Sequence, residues 1–403
     1  MSQATEMLGA SRAPHIRIVG VVCAAHFVSH YYILLLAPLL PFVRAEYGVS
    51  YVEIGVALAA FNVVSTVLQT PVGFLVDWLG ARILLIAGLL IGAGAFVTVG
   101  LIDSFWVLVA MFALAGVGNT VYHPADYALL SHHVPSDRIG QAFSVHTFAG
   151  MLGSAVAPAS LLMMQNLWGW RGAFIGAGML GFAVAAVLLA VPDNSDSKIS
   201  AAPPRANSDS SPVGWRLLLS APILLNLVFF VLLATMSGGV YNYSVVALGA
   251  LYGTAVSTAN IALSGFLLLA AAGVLAGGVL VGRTKRHGLV AALGLAAIGG
   301  ILTLIANVDL GTLPLIAAMM VSGFFSGMIM PSRDMIVRDV TPTGSFGKVF
   351  GFVTTGFNIG GIISPLIFGA IMDHGSPRLV FLGVAACSLI AILTVATRPR
   401  RAA

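Results

Sequence analysis

The chain has 403 residues, of which 59% are hydrophobic and only 8% charged, with a formal net charge of +5 and a mean hydropathy of +1.00. An ordinary soluble domain carries about a quarter charged residues, and no water-soluble fold of this length can hide so much apolar surface. That excludes a soluble enzyme or binding module and predicts an all-α membrane protein that crosses the bilayer many times.

The opening MSQATEMLGASRAPHIR lacks the short apolar core and small-residue cleavage site of a secretory signal. The first apolar run is therefore expected to be a span and not a leader. At about 20 apolar residues per crossing, helices are predicted near residues 17–42, 52–75, 83–102, 104–131, 138–165 and 171–191. A polar stretch rich in Pro, Ser and Asp follows, with the composition of a flexible linker. A second set of helices is predicted near 217–247, 255–281, 288–308, 310–338, 344–370 and 376–397. The expected domains are an N-terminal six-helix bundle over 1–191, a cytoplasmic linker over 192–213 and a C-terminal six-helix bundle over 214–403.

The basic residues set the expected orientation. With the N-terminus in the cytoplasm, fifteen Lys and Arg residues fall on the cytoplasmic side, against Arg44, Arg171 and Arg378 on the far side, with Arg333 inside a span. Such asymmetry is the positive-inside signal. It predicts both termini in the cytoplasm and placement in the cell inner membrane. It also accounts for the net charge, so nucleic acid is not an expected partner.

The two halves repeat at an offset of 207. Gly116/Gly323, Pro124/Pro331, Gly140/Gly347, Gly153/Gly360, Pro158/Pro365 and Arg171/Arg378 all obey it. Glycines and prolines dominate because they set close helix packing and bends. Two pseudo-symmetric six-span repeats with a midplane site between them are a transporter plan. Cys23 and Cys387 sit in apolar runs and read as small buried hydrophobes. No CxxC, HExxH, P-loop or GxSxG pattern occurs, so neither an enzyme nor a cofactor is expected. Without a nucleotide motif, the proton gradient is the expected energy source. A sensor without transport would need a soluble signalling domain, and the longest polar segment is the linker.

The fourth helix carries NTVYHPADYALL, residues 119–130, with His123 and Asp126 on one helix face at i, i+3. A carboxylate inside a span costs several kcal/mol and is a functional-site hypothesis by default. Asp126 lies about five residues and His123 about eight residues from the cytoplasmic end, roughly 12 Å deep at the helical rise. His146 on the fifth helix has similar depth, so the three groups can meet. The repeat places Arg333 at the position equivalent to Asp126, since 126 + 207 = 333. Three readings stay open. Asp126 carries a proton while Arg333 holds an anionic substrate; or the two form a cytoplasmic gate pair; or His123 and Asp126 only satisfy the backbone near Pro124. Asp334 can balance its neighbour Arg333. The histidines lie on three helices without an evident ligand cluster, so no metal is expected.

The loop GFLVDWLGAR, 73–82, and the run GWRGAF, 169–174, resemble signatures of the major facilitator superfamily. Gly73, Asp77, Gly80 and Arg82 match the loop, whereas Trp78 and Ala81 stand where basic residues are usual. The second-half counterpart keeps Arg283 and Arg286 but has Gly282 in the acid's place. The run VGNTVYHPADYALLS is similar to the fosmidomycin-resistance branch of that superfamily, although the antiporter signature of the fifth helix is replaced by GMLGSAVAPASL. The resemblance implies a cavity lined by the first, fourth, seventh and tenth helices. His26, His30, Tyr31, Tyr241 and Asn242 are therefore cavity candidates beside Arg333, and Asn358 on the eleventh helix is a further one. It also implies that Asp77 contacts the start of the eleventh helix near Thr343 to Ser345, complementing its positive end.

The expectation is a secondary active transporter alternating between inward- and outward-open states. Its partners are a small-molecule substrate, protons and the lipid bilayer, and a monomer is the expected working unit. Arg333 and the histidines favour a small organic anion over a lipophilic cation, and efflux of a phosphonate-like drug fits the same charges.

Overall fold

The computed structural model describes residues 2–135, 138–191, 215–342 and 346–396. The expected linker and Thr343 to Ser345 lie outside the described residues. What is described is helical almost throughout, as the long apolar runs require: in lipid every backbone N–H and C=O must find its partner within the chain.

Helices α1 (Ser2–Ile33) and α2 (Leu36–Tyr47) occupy the first predicted span. They part at Leu34–Leu35, four residues before Pro38, whose ring would collide with the Leu34 carbonyl in a continuous helix. Then come α3 (Tyr51–Leu79), α4 (Ala81–Leu101), α5 (Phe105–His133) and α6 (Ile139–Ala190). The second half holds α7 (Trp215–Leu218), α8 (Ala221–Gly238), a π-helical segment (Gly239–Tyr243) and α9 (Ser244–Tyr252). It ends with α10 (Val256–Arg283), α11 (His287–Asn307), α12 (Thr312–Val340), α13 (Phe346–Asp373) and α14 (Arg378–Ala396).

Among the described residues, eleven helical stretches are long and apolar enough to cross a membrane, where the sequence predicts twelve. The difference lies in α6. Its apolar stretch Gln141–Ala190 has 50 residues, which as one rod would measure about 75 Å against a hydrocarbon core of about 30 Å. Gly169 leaves the helical region with φ 72° and ψ 169°, so two helices meet there. An L side chain rarely adopts that φ, which is why a glycine occupies the junction.

Packing divides the chain into two units. The first contains Met1–Leu35 and Ala60–Ala206; the second contains Leu36–Ala59 and Asn207–Ala403. In the first, α1 packs on α6, and α4 packs on α5 and α6. In the second, α8 packs on α13, α10 on α12, and α11 on α12 and α14. The second unit also takes α2 and the start of α3, so packing does not follow the sequence halves in this segment. Backbone closeness explains the assignment: a Cβ on Gly55 would lie 2.7 Å from the Pro365 carbonyl, and one on Gly369 would lie 2.9 Å from that of Tyr51.

The repeat is present in the helices themselves. The bounds of α5, 105 and 133, become those of α12, 312 and 340, at the same offset of 207. The paired glycines also do the same job. A Cβ on Gly116 of α5 would meet the Phe61 carbonyl of α3 at 2.6 Å, and one on Gly323 of α12 would meet the Phe266 carbonyl of α10 at 2.0 Å. Both allow a backbone-to-backbone contact that a side chain would prevent.

Candidate functional site

His26 and His30 stand one helical turn apart on α1, and His123 and Asp126 nearly one turn apart on α5, which runs unbroken through Pro124. His146 is in the second turn of α6. The first unit gathers all five. Asp126 is fully buried, with His146 at 1% and His26 at 3% exposure. His146 Nε2 and Asp126 Oδ2 are hydrogen-bonded at 2.9 Å, with the proton on either atom according to the protonation state, and His26 Nδ1 lies 3.4 Å from the same oxygen. The His26 ring stacks on that of His146 at 3.7 Å, meets His30 edge-on at 4.7 Å and lies 5.3 Å from His123. His26 is thus the hub.

The periphery is more open. His30 is half-buried, with Nδ1 3.3 Å from Ser154 Oγ, and His123 is exposed. Tyr127 stacks beside His123 and lies 5.6 Å from His146. The hub fits only because position 150 has no side chain: a Cβ there would fall 2.6 Å from the His26 ring and 2.9 Å from that of His30. Asp126 Oδ1 and His146 Nδ1 are buried without a hydrogen-bond partner among the described residues. One proton can reside on the carboxyl with the imidazoles neutral, or on an imidazole with the carboxylate ionised. Either state leaves the core neutral, whereas a lone buried charge costs far more.

The expectation that the histidines form no tight cluster is corrected here. The ligand atoms of His26, Asp126 and His146 all lie within 4.8 Å of one another, close enough to share a proton or a single cation. Three distant sequence positions become neighbours because α1, α5 and α6 pack together.

The second unit presents a cation. The Arg333 guanidinium lies 4.9 Å from the ring centre of Phe230 and 5.0 Å from that of Phe357. Its Nε and Nη2 both donate to Asp334 Oδ1, at 2.9 and 2.8 Å, matching the expected charge balance between these neighbours. Arg333 is on the wall of a cavity of about 50 Å³ whose other polar side chains, among the described residues, are Ser237 and Ser326. Phe230, Phe357 and the serines carry no sequence signal that singles them out.

The other cavity candidates are more dispersed. Tyr31 is 2% exposed, with its hydroxyl 2.8 Å from Ser160 Oγ. Tyr241 and Asn242 fall in the π-helical segment, where Tyr241 faces Phe266 and Asn242 Nδ2 donates to the Gly238 carbonyl at 3.2 Å. A π segment widens the turn locally and is often found at functional sites. Asn358 is half-buried beside Phe357.

Comparison with known proteins bears on both units. The model of the Major Facilitator Superfamily matches residues 22–247 and 227–403. The chain belongs to the Major Facilitator Superfamily. Its relatives include the fosmidomycin resistance protein of Escherichia coli K12, 25% identical over 94% of this chain and 92% of that one. The probable L-galactonate transporter of the same strain is 29% identical over 36% of this chain and 32% of that one. A solved bacterial homologue of the human lysosomal transporter Spinster, inward-facing and unoccupied, shares the fold with a TM-score of 0.79 at 12% identity, covering 95% of this chain and 96% of that one. Family and fold are those of a transporter and not an enzyme.

In this superfamily member the signature loop is only partly visible. Gly80 adopts φ 96° at the start of α4, a conformation that explains the glycine. Arg82 donates to the carbonyls of Leu188, at 2.8 Å, and Val191 at the end of α6, where a cation complements the helix dipole. Gly73 lies within α3. The side chain of Asp77 and its expected partner region, Thr343 to Ser345, lie outside the described residues.

Proposed function

We propose that this superfamily member is a proton-coupled secondary active transporter that moves a small organic anion by alternating access. In this reading it crosses the cell inner membrane twelve times, with both termini in the cytoplasm, and works as a monomer with protons as its coupling ion. The observation that carries the reading is the sealed Asp126–His146–His26 cluster, with His30 and His123 at its more open edge. Such a cluster can take a proton from the open side and hold it out of water. Arg333 supplies the positive charge for the cargo from the second unit. The carrier role for Asp126 is preferred over a gate with Arg333 because each group already has a partner within its own unit.

A second reading is drug:proton antiport, favoured by the fosmidomycin resistance protein among the relatives. The likeness to a probable L-galactonate transporter favours an organic acid as cargo in either direction.

Reconstituted vesicles test the coupling. A labelled organic anion should accumulate only under an imposed pH gradient and be released when a protonophore collapses it. Asp126→Asn should lose accumulation yet retain anion exchange at zero gradient. Undiminished accumulation in Asp126→Asn would remove the proposed role.

A further inference from the structure

The cavity beside Arg333 narrows the class of anion, an inference that rests on the anion reading above. Its walls come from one packed unit, and its character is uneven. Arg333 brings a delocalised cation that lies against the touching rings of Phe230 and Phe357, while Phe266, Met330 and Leu233 make most of the remaining surface apolar. Among the described residues, Ser237 and Ser326 are the only other hydrogen-bonding side chains on it. A polyhydroxylated acid placed here would leave most of its hydroxyls facing hydrocarbon, and an unpaired buried hydroxyl is strongly disfavoured. A lipophilic cation would face the guanidinium.

The geometry also supplies a stand-in for the ligand. Asp334 adjoins Arg333 in the chain and offers one carboxylate oxygen to both Nε and Nη2. Its side chain is 50% exposed whereas that of Arg333 is 14% exposed. A half-exposed ion pair is weak, so an entering carboxylate can displace Asp334 and take the planar fork with both of its oxygens. We propose that the Arg333 cavity binds a monocarboxylate with a short apolar body, the carboxylate replacing Asp334 on the guanidinium and the body lying against Phe266 and Met330. Asp334 then acts as a specificity residue that keeps Arg333 neutralised between cargoes.

The test is a binding series on the purified full-length protein in lipid nanodiscs, read by calorimetry. The probes are acetate, propionate, butyrate and hexanoate, with L-galactonate, methylphosphonate and butylammonium for comparison. Affinity should rise about fourfold per added methylene, the factor expected for burying one CH2, and level off once the small cavity is full. L-galactonate and methylphosphonate should bind at least tenfold more weakly than butyrate, and butylammonium should not bind. Met330→Asn should flatten the chain-length slope while leaving acetate binding in place, and Arg333→Lys should weaken every carboxylate alike. Asp334→Asn should tighten butyrate binding by removing its competitor. L-galactonate or methylphosphonate binding more tightly than butyrate, or a slope unchanged by Met330→Asn, would overturn this cargo class while leaving organic-anion transport standing. Failure of every anion to bind, with butylammonium binding instead, would overturn both.

Discussion

Asp126 has no exposed surface, yet it is placed where the imidazoles of His146 and His26 can exchange a proton with it. Its 2.9 Å bond to His146 and its approach to His26 depend on Gly150, which leaves the two α1 rings their space. Glycine to alanine inside a helix ordinarily stabilises it by up to about 1 kcal/mol. Gly94 of α4 has open space around it and should behave so. Gly150→Ala should do the opposite, costing about 1–3 kcal/mol as the added methyl displaces imidazole rings, and its proton-driven accumulation should fall with it. Melting curves of the two variants in one detergent make the comparison, and equal shifts would count against a glycine requirement at the hub. The charge exchange Asp126→Arg with Arg333→Asp is a second residue-scale test. It should not restore transport, because an arginine at 126 would face His26 and His146; recovery of much of the activity would favour the gate.

At the scale of elements, α3 is held at its start by an unusually complete set of caps. Ser50 N–H donates to Glu53 Oε2 at 2.7 Å and Glu53 N–H donates to Ser50 Oγ at 3.1 Å, a capping box. The Asp373 carboxylate, at the end of α13, accepts from Tyr51 N–H at 2.7 Å and Val52 N–H at 2.9 Å. Gly55, Gly369 and the Tyr243 hydroxyl, which donates to the Pro365 carbonyl at 2.6 Å, complete the seam. Asp373→Ala should cost about 1–2 kcal/mol by uncapping two donors next to the positive end of α3. Asp373→Asn, which keeps an oxygen acceptor, should cost less. Thermal unfolding checks the order, and equal stability of all three proteins would show that the cap contributes nothing.

For the whole molecule, the twelve-crossing reading depends on Gly169 dividing α6. Single cysteines at Lys285 and Arg138, in a background without Cys23 and Cys387, should react only with a reagent on the cytoplasmic side. Cysteines at Asp103 and Asp309 should react only from outside. Labelling of Lys285 and Asp309 from the same face would break the proposed topology.

Much of this architecture is legible from hydropathy, because the cost of unpaired backbone in lipid is local to each segment. The helices near 104–131 and 310–338 appear as α5 and α12, and the offset of 207 survives to both ends of each. Proline positions are legible as well, but the break before Pro38 and the turn at Gly169, where the two predicted helices within α6 meet, depend on how the backbone turns at a few residues. The site was visible only in part. Asp126, His123, His146, His26 and His30 stand out as polar groups in apolar runs, and Arg333 stands out through the repeat. That Asp126 meets His26 as well as His146 was not visible, since sequence spacing says nothing about which helices touch.

By itself the sequence determined the membrane class, most of the spans and the internal repeat, and it marked the residues too polar for their surroundings. Tertiary structure alone decided that α1, α5 and α6 converge on one buried Asp–His cluster, that Arg333 lies against a pair of phenylalanines, and that α3 begins against α13. The physical reason is that hydrocarbon solvates every apolar helix face about equally. Partner choice therefore rests on close backbone approaches at glycines such as Gly116, Gly153 and Gly369, and on the few polar groups that must find one another.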